Sequence, residues 1–189
     1  MSLSIYNLVL FHERPAIKLS LPHVLRVGQN GNAYFFMQLT IAAPKKTEDL
    51  EIVTDVDFQL NPEGKSDRSP RARFWWDEVI RFKRRPEDGW EHAGDPNPFV
   101  IAQDKPQMPF LSFVAEDWKF AAGEYKGTLT LHRASGQQSL IEEFCLIFTQ
   151  KDIEELAKEK GEDWWYPYRN DDPSGSDQHG DCYVRWSGY

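Results

Sequence analysis

Two stretches of this 189-residue chain carry side chains whose types and spacing suit recognition of another molecule. The first is 65–85, where eight of the 22 Lys and Arg stand against three acids, a local excess of +5 in a chain of formal charge −8. Arg71, Arg73, Arg81 and Arg84 are interleaved there with Phe74, Trp75, Trp76 and Phe82. A guanidinium presents a planar fork of donors that fits carboxylates and phosphates. Flat rings between such groups suit stacking on bases, sugars or the apolar surface of a partner. Read as an extended hairpin arm, the segment puts Arg71, Arg73, Trp75 and Arg81 on one face, provided no bulge intervenes. The plainer reading of the same residues is a surface hairpin with core rings and solvated bases.

The second stretch is the C-terminal tail. Residues 150–189 hold ten acids and five bases, and Trp164-Trp165-Tyr166-Pro167-Tyr168 within them is too apolar to stand in water. It must pack on its own domain or dock on a partner. Its charge is opposite to that of the arm, so the two could meet, although exposed ion pairs add little energy.

Signatures of catalysis are weaker. Asp177-Gln178-His179-Gly180-Asp181-Cys182 gathers metal-capable types, but His12, His23, His92 and His132 are scattered and supply no second cluster at ligand spacing. Cys182 with His179 is a nominal nucleophile–base pair only, and the segment reads as a polar loop. Cys145 lies in an apolar strand and reads as a buried, inert thiol. Asp55 and Asp57 pair on the wet side of one strand, where carboxylates could bind calcium with Asp95 and Asp104 or simply face solvent. Gly28 to Gly31 lacks the Lys-Ser/Thr ending of a phosphate loop. No cofactor or metal is expected.

The elements that must position these residues are strands. Alternation with period two runs through 33–42, 51–60, 124–133 and 140–149. In the second of these, Ile52, Thr54, Val56, Phe58 and Leu60 are expected to share the buried face. Tyr34 and Phe36 oppose Phe35 and Met37 in the first. Weaker strands are expected at 5–11, 16–20, 74–82, 98–102 and 110–115. Turn signals such as Gly28-Gln29-Asn30-Gly31-Asn32 and Asn61-Pro62-Glu63-Gly64 separate them. Residues 149–158 carry helix formers with Ile153, Leu156 and Ala157 at helical spacing, capped by Thr149 or Asp152. The chain thus divides into a β-sandwich domain over 1–149, a short helix within 150–161 and an aromatic, acidic tail over 162–189.

Composition sets the outer bounds. Hydrophobic content is 40%, but 14% of residues are aromatic and bury large areas each, enough for one sizeable core. The acidic balance disfavours general binding to nucleic acid or an anionic membrane. No apolar run approaches a bilayer span or a secretory signal, and two cysteines are too few for a disulfide-built fold, so a cytoplasmic, reducing setting is expected.

Gly123-Glu124-Tyr125-Lys126-Gly127-Thr128-Leu129, preceded by Ala121-Ala122, resembles the penultimate strand of the immunoglobulin-like β-sandwich superfamily. The resemblance implies an all-β, antiparallel two-sheet fold in which the Tyr125 hydroxyl returns to backbone just upstream, a tyrosine corner. It implies no activity. The reading that follows is a non-enzymatic protein-binding or adaptor module. Its binding residues are Arg71, Arg73, Trp75, Trp76, Arg81, Arg84, Trp164 and Trp165, and its partner is another protein or a second copy. A polyanion- or carbohydrate-binding module with Trp75 and Trp76 as its platform is the alternative, and an enzyme is the third.

Overall fold

The computed structural model describes residues 16–44, 50–63, 71–83, 89–101, 106–158, 165–171 and 181–186. The expected strand 5–11, Arg84, Trp164, Asp104 and Asp177 to Gly180 lie outside them.

Within the described residues the chain is mostly strand, antiparallel throughout its ladders. In order these are β1 (Lys18–Ser20), β2 (Val24–Asn30), β3 (Asn32–Gln38), β4 (Thr40–Ala42), β5 (Glu51–Pro62), β6 (Ala72–Phe82), β7 (Trp90–Gly94), β8 (Phe99–Ile101), β9 (Phe110–Ala115), β10 (Gly123–Arg133) and β11 (Leu140–Phe148). A helix α1 (Gln150–Leu156) follows, then β12 (Trp165–Arg169) and β13 (Val184–Arg185). The strongly alternating segments 51–60, 124–133 and 140–148 are strands with Phe58, Leu129 and Phe144 buried, while 33–42 is divided at Leu39 into β3 and β4, the latter pairing with β1 in a separate two-stranded sheet. Thr149 caps α1: its hydroxyl accepts from the Asp152 amide while the Asp152 carboxylate accepts from the Thr149 amide.

One hydrogen-bonded path runs β11-β10-β5-β6-β9-β3-β2-β12-β13. β6 belongs to both halves. Its first residues, up to Phe74, pair with β5, and from Trp75 onward it pairs with β9. A bulge between Trp76 and Glu78 lets the strand turn this corner. The two halves face each other across a single core, where Phe35 of β3 meets Phe58 of β5 and Phe74 of β6 edge-on at 4.8 and 5.0 Å. Rings continue from there through Phe120 and Phe148 to Tyr168 in β12. Aromatic side chains thus carry the packing that a 40% hydrophobic composition would otherwise leave thin.

The path nearly closes on itself. Tyr183, just before β13, bridges Leu146 of β11 in parallel: its amide donates to the Cys145 carbonyl and its carbonyl accepts from Ile147, each at 2.9 Å. A disulfide joins Cys145 to Cys182 at this seam. That corrects the reading of Cys145 as an inert thiol and of Cys182 as part of a polar loop. The argument from unlinked thiols to a reducing compartment loses its premise.

A further correction concerns register. In β5 both Thr54 and Asp55 face outward, and the register slips where Arg133 pairs with Val53 instead of Thr54. The alternation inverts there, so Val53 is buried and Ile52 exposed. The inverted parity sends Glu51 inward, where Arg133 and Ser135 bond its carboxylate. Burial pushes this carboxyl up, but those donors outweigh it and hold it below the usual range. The tail, in turn, supplies structure of its own: β12 pairs with β2 over five residues.

Candidate interaction site

Arg73 and Trp75 project from the outer side of β6, opposite Phe74 and Trp76, which fill the core. Trp75 is 50% exposed, the most exposed aromatic ring among the described residues. The Arg73 guanidinium sits 5.8 Å from its ring centroid and donates to Asp57 on the neighbouring strand at 2.7 Å. Asp57 also meets His132 Nε2 at 2.8 Å, and His132 Nδ1 lies 3.3 Å from the Ser139 hydroxyl. Partial burial pushes the Asp57 carboxyl up, but the hydrogen bonds from Arg73 and His132 prevail and hold it below the ordinary carboxylate range.

Ser139, His132 and Asp57 are therefore in line, an arrangement that sequence order did not reveal because the three come from the β10–β11 turn, β10 and β5. Its chemistry is limited by Arg73. The Asp57 carboxylate is shared between the Arg73 guanidinium and the imidazole, so it does not serve His132 alone. Of the acidic pair on β5, Asp55 accepts from the Val56 amide and Asp57 is engaged as above, while Asp104, weighed as a companion for calcium, lies outside the described residues. Among the described residues no group of three or more His, Cys, Asp or Glu is placed to hold a metal ion.

The bulge after Trp76 breaks the arginine arm. Trp76 and Val79 both contact the main core, so parity changes between them. Arg73 and Trp75 lie on the outer side, whereas Arg81 shares the parity of Val79 and pairs with Glu91 at 2.8 Å. The single face expected for Arg71, Arg73, Trp75 and Arg81 therefore does not form; Arg71 is exposed just before the strand begins. Trp76 is no platform either, being buried with its indole N–H donated to the Glu78 carbonyl. Asp77, at the bulge, is exposed as a residue, yet crowding of its carboxyl and the nearby Glu78 and Glu116 push its pKa up.

On the far half of the sheet the outer side is covered by rings. Phe36, Ile80 and Phe110 are buried there beneath Tyr34, Trp90 and Trp165. Arg26 of β2 lies among Trp165, Phe82, Phe110 and Trp90, between 5.1 and 6.0 Å from each centroid. Trp165 packs against Trp90, the rings tilted by 38° with centroids 4.7 Å apart. Among the described residues the arm and the tail come together at Arg26, which Phe82 of the one and Trp165 of the other both flank. Cross-strand register places Trp75, Val114, Tyr34, Gly28 and Trp165 in one row across this face. Arg26 and Trp90 escaped notice in the sequence; the available signal was Tyr34 and Phe36, large rings on the side of β3 that points away from Phe35. No helix among the described residues is long and apolar enough to cross a membrane. In comparison with known proteins, no family model matches the chain, and no curated protein or solved structure is significantly similar to it.

Proposed function

We propose that this chain is a non-enzymatic protein-binding module of immunoglobulin-like architecture, docking another protein or a second copy through the outer surface around Trp75 and Arg73. The architectural part is supported by strand order. β2, β3, β9 and the far end of β6 follow the order A, B, E, D of such sandwiches, and β5, β10 and β11 follow C, F, G. Tyr125, at the start of β10, donates its hydroxyl to the Ala121 carbonyl at 3.0 Å, as a tyrosine corner would.

The functional part rests on one observation: a tryptophan half in water, on a strand of the sheet, with a guanidinium beside its ring. Trp and Arg dominate interface energies, and a ring held by a rigid sheet loses little freedom on binding. The Arg73–Asp57 pair orients the guanidinium without burying it. The test is co-purification from native lysate with wild type and Trp75→Ala, together with sedimentation of the pure protein. Loss of a partner or of self-association in the variant supports the reading, and retention of both removes it. Repeating the capture as salt rises separates a polyanion ligand, whose binding falls steeply, from a ring-centred protein contact, which weakens far less.

A further inference from the structure

We propose that the seam between β2 and β11 is a docking slot for the C-terminal segment of a second copy of this chain, opened by reduction of Cys145–Cys182. The inference is independent of the Trp75 surface.

The slot is defined by what fills it. Residues 165–169 pair with β2, and the Tyr183 backbone bonds β11. Tyr168 and Tyr183 are fully buried in the main core, the first against Phe148 at 5.3 Å and the second against Phe144 at 5.4 Å. The Tyr183 hydroxyl donates to the Pro22 carbonyl, on the chain leading into β2. Lifting this segment leaves the β2 and β11 edges unpaired and bares Leu25, Phe144, Leu146 and Phe148. Unpaired edges over an apolar slot are a template for another strand. The sequence that fits it, two buried tyrosines beside a cysteine, is the one that every copy carries, which makes exchange between copies the low-cost association.

The disulfide decides when exchange can occur. Cys145 and Cys182 are both partly exposed, so an external dithiol can reach them. One thiolate of the dithiol attacks a sulfur and expels the other cysteine as thiolate; the second thiol then attacks the mixed disulfide. The reductant leaves as its own disulfide, and Cys145 and Cys182 gain two electrons and two protons. In the oxidised chain the segment is tethered across a sequence separation of 37. Once reduced, it is held by non-covalent contacts that a second copy reproduces, and re-oxidation of an exchanged pair by a disulfide oxidant such as oxidised glutathione, which takes up the two electrons and two protons and leaves as two thiols, links Cys145 of one copy to Cys182 of the other.

The experiment mixes two full-length variants, Cys145→Ser and Cys182→Ser, each with one thiol. They are reduced with dithiothreitol, concentrated together and re-oxidised, and products are read by non-reducing gels and peptide mass spectrometry. Exchange predicts a Cys182–Cys145 heterodimer in roughly tenfold excess over either homodimer, because docking raises the local thiol concentration. Adding Tyr183→Ala to the Cys145→Ser chain should remove that excess. Statistical proportions of the three dimers, or monomers alone, would overturn the proposal. Should a variant fail to fold, wild type mixed from 14N- and 15N-labelled chains gives the same answer. Isotope-hybrid Cys145–Cys182 peptides after concentrated re-oxidation support exchange, and their absence contradicts it.

Discussion

The outer sides of the two halves of the sheet are built on the same alternation and end up as opposites. Over β10 and β5 the outward positions are mostly polar and several are paired, while β11 adds the exposed Ile141 beside Glu143. Lys126 pairs with Glu143 at 2.7 Å, and Asp57 is shared by Arg73 and His132. Over β9, β3, β2 and β12 the outward positions are Phe110, Phe36, Arg26 and Trp165, and a second layer of rings closes over them. A strand with one wet face reads as clean alternation, while a strand apolar on both faces signals a covering element. Here the cover comes from distant parts of the chain, Trp90 and the tail. Trp75 stands at the junction, where β6 passes from one half to the other, and its ring is left half in water. The difference separates a face that the chain uses itself from one that it leaves open.

The comparison breaks most readily on the covered side. Phe36→Ala should cost about 3–5 kcal/mol, the usual range for a buried ring, measured by chemical denaturation. A cost under about 1 kcal/mol would mean that the outer ring layer is not packed. Next in size is the seam. Cys145→Ser with Cys182→Ser should lower stability by about 2–4 kcal/mol, the typical worth of a disulfide, and reduction of wild type should do the same. Gly127→Ala sharpens the packing behind the polar face. A Cβ there would stand 2.4 Å from Phe144 Cζ, and that ring is held between Phe58 and Tyr183, so overpacking should cost about 1–3 kcal/mol.

Smaller effects follow from charge. Asp57 is held below its ordinary pKa, so it contributes stability that is present above the unfolded value of about 4 and lost as pH falls through the lower folded value. Asp77 has the opposite sign. Its raised pKa means that the ionised form is disfavoured in the fold, so stability declines as pH rises from the unfolded value through the folded one. Asp77→Asn should therefore raise the thermal midpoint slightly at neutral pH and leave it unchanged near pH 3. The reverse order would contradict the crowding at the bulge.

Much of the frame was legible in the sequence because burial on one face imposes period two. The strands carrying Phe58, Leu129 and Phe144 and the capped helix follow from local pattern, whereas the Tyr125 hydroxyl bond is what the resemblance around Gly123-Glu124-Tyr125 implies. What escaped was non-local or locally contradictory. β2 ends in Gly28-Gln29-Asn30, which reads as a turn, although only Gly31, at φ 72°, makes one. β12 contains Pro167, which argues against a strand, but its carbonyl still accepts from the Trp186 amide. The bulges at Thr54 and Asp77 each invert a face, and no single residue type announces them. Pairing of Cys145 with Cys182 required knowing that the tail returns to β11.

The central claim is that the open junction around Trp75, and not the whole basic arm, binds a partner. Arg81 provides the matched control, since it lies in the same strand but on the other side of the bulge, paired with Glu91. The decisive measurement is quantitative co-purification and sedimentation of wild type, Arg73→Glu/Trp75→Ala and Arg81→Glu, after circular dichroism shows all three folded. The account predicts that the first variant loses the partner or the self-association while Arg81→Glu keeps it. Equal loss in both, or full retention in both, would contradict it.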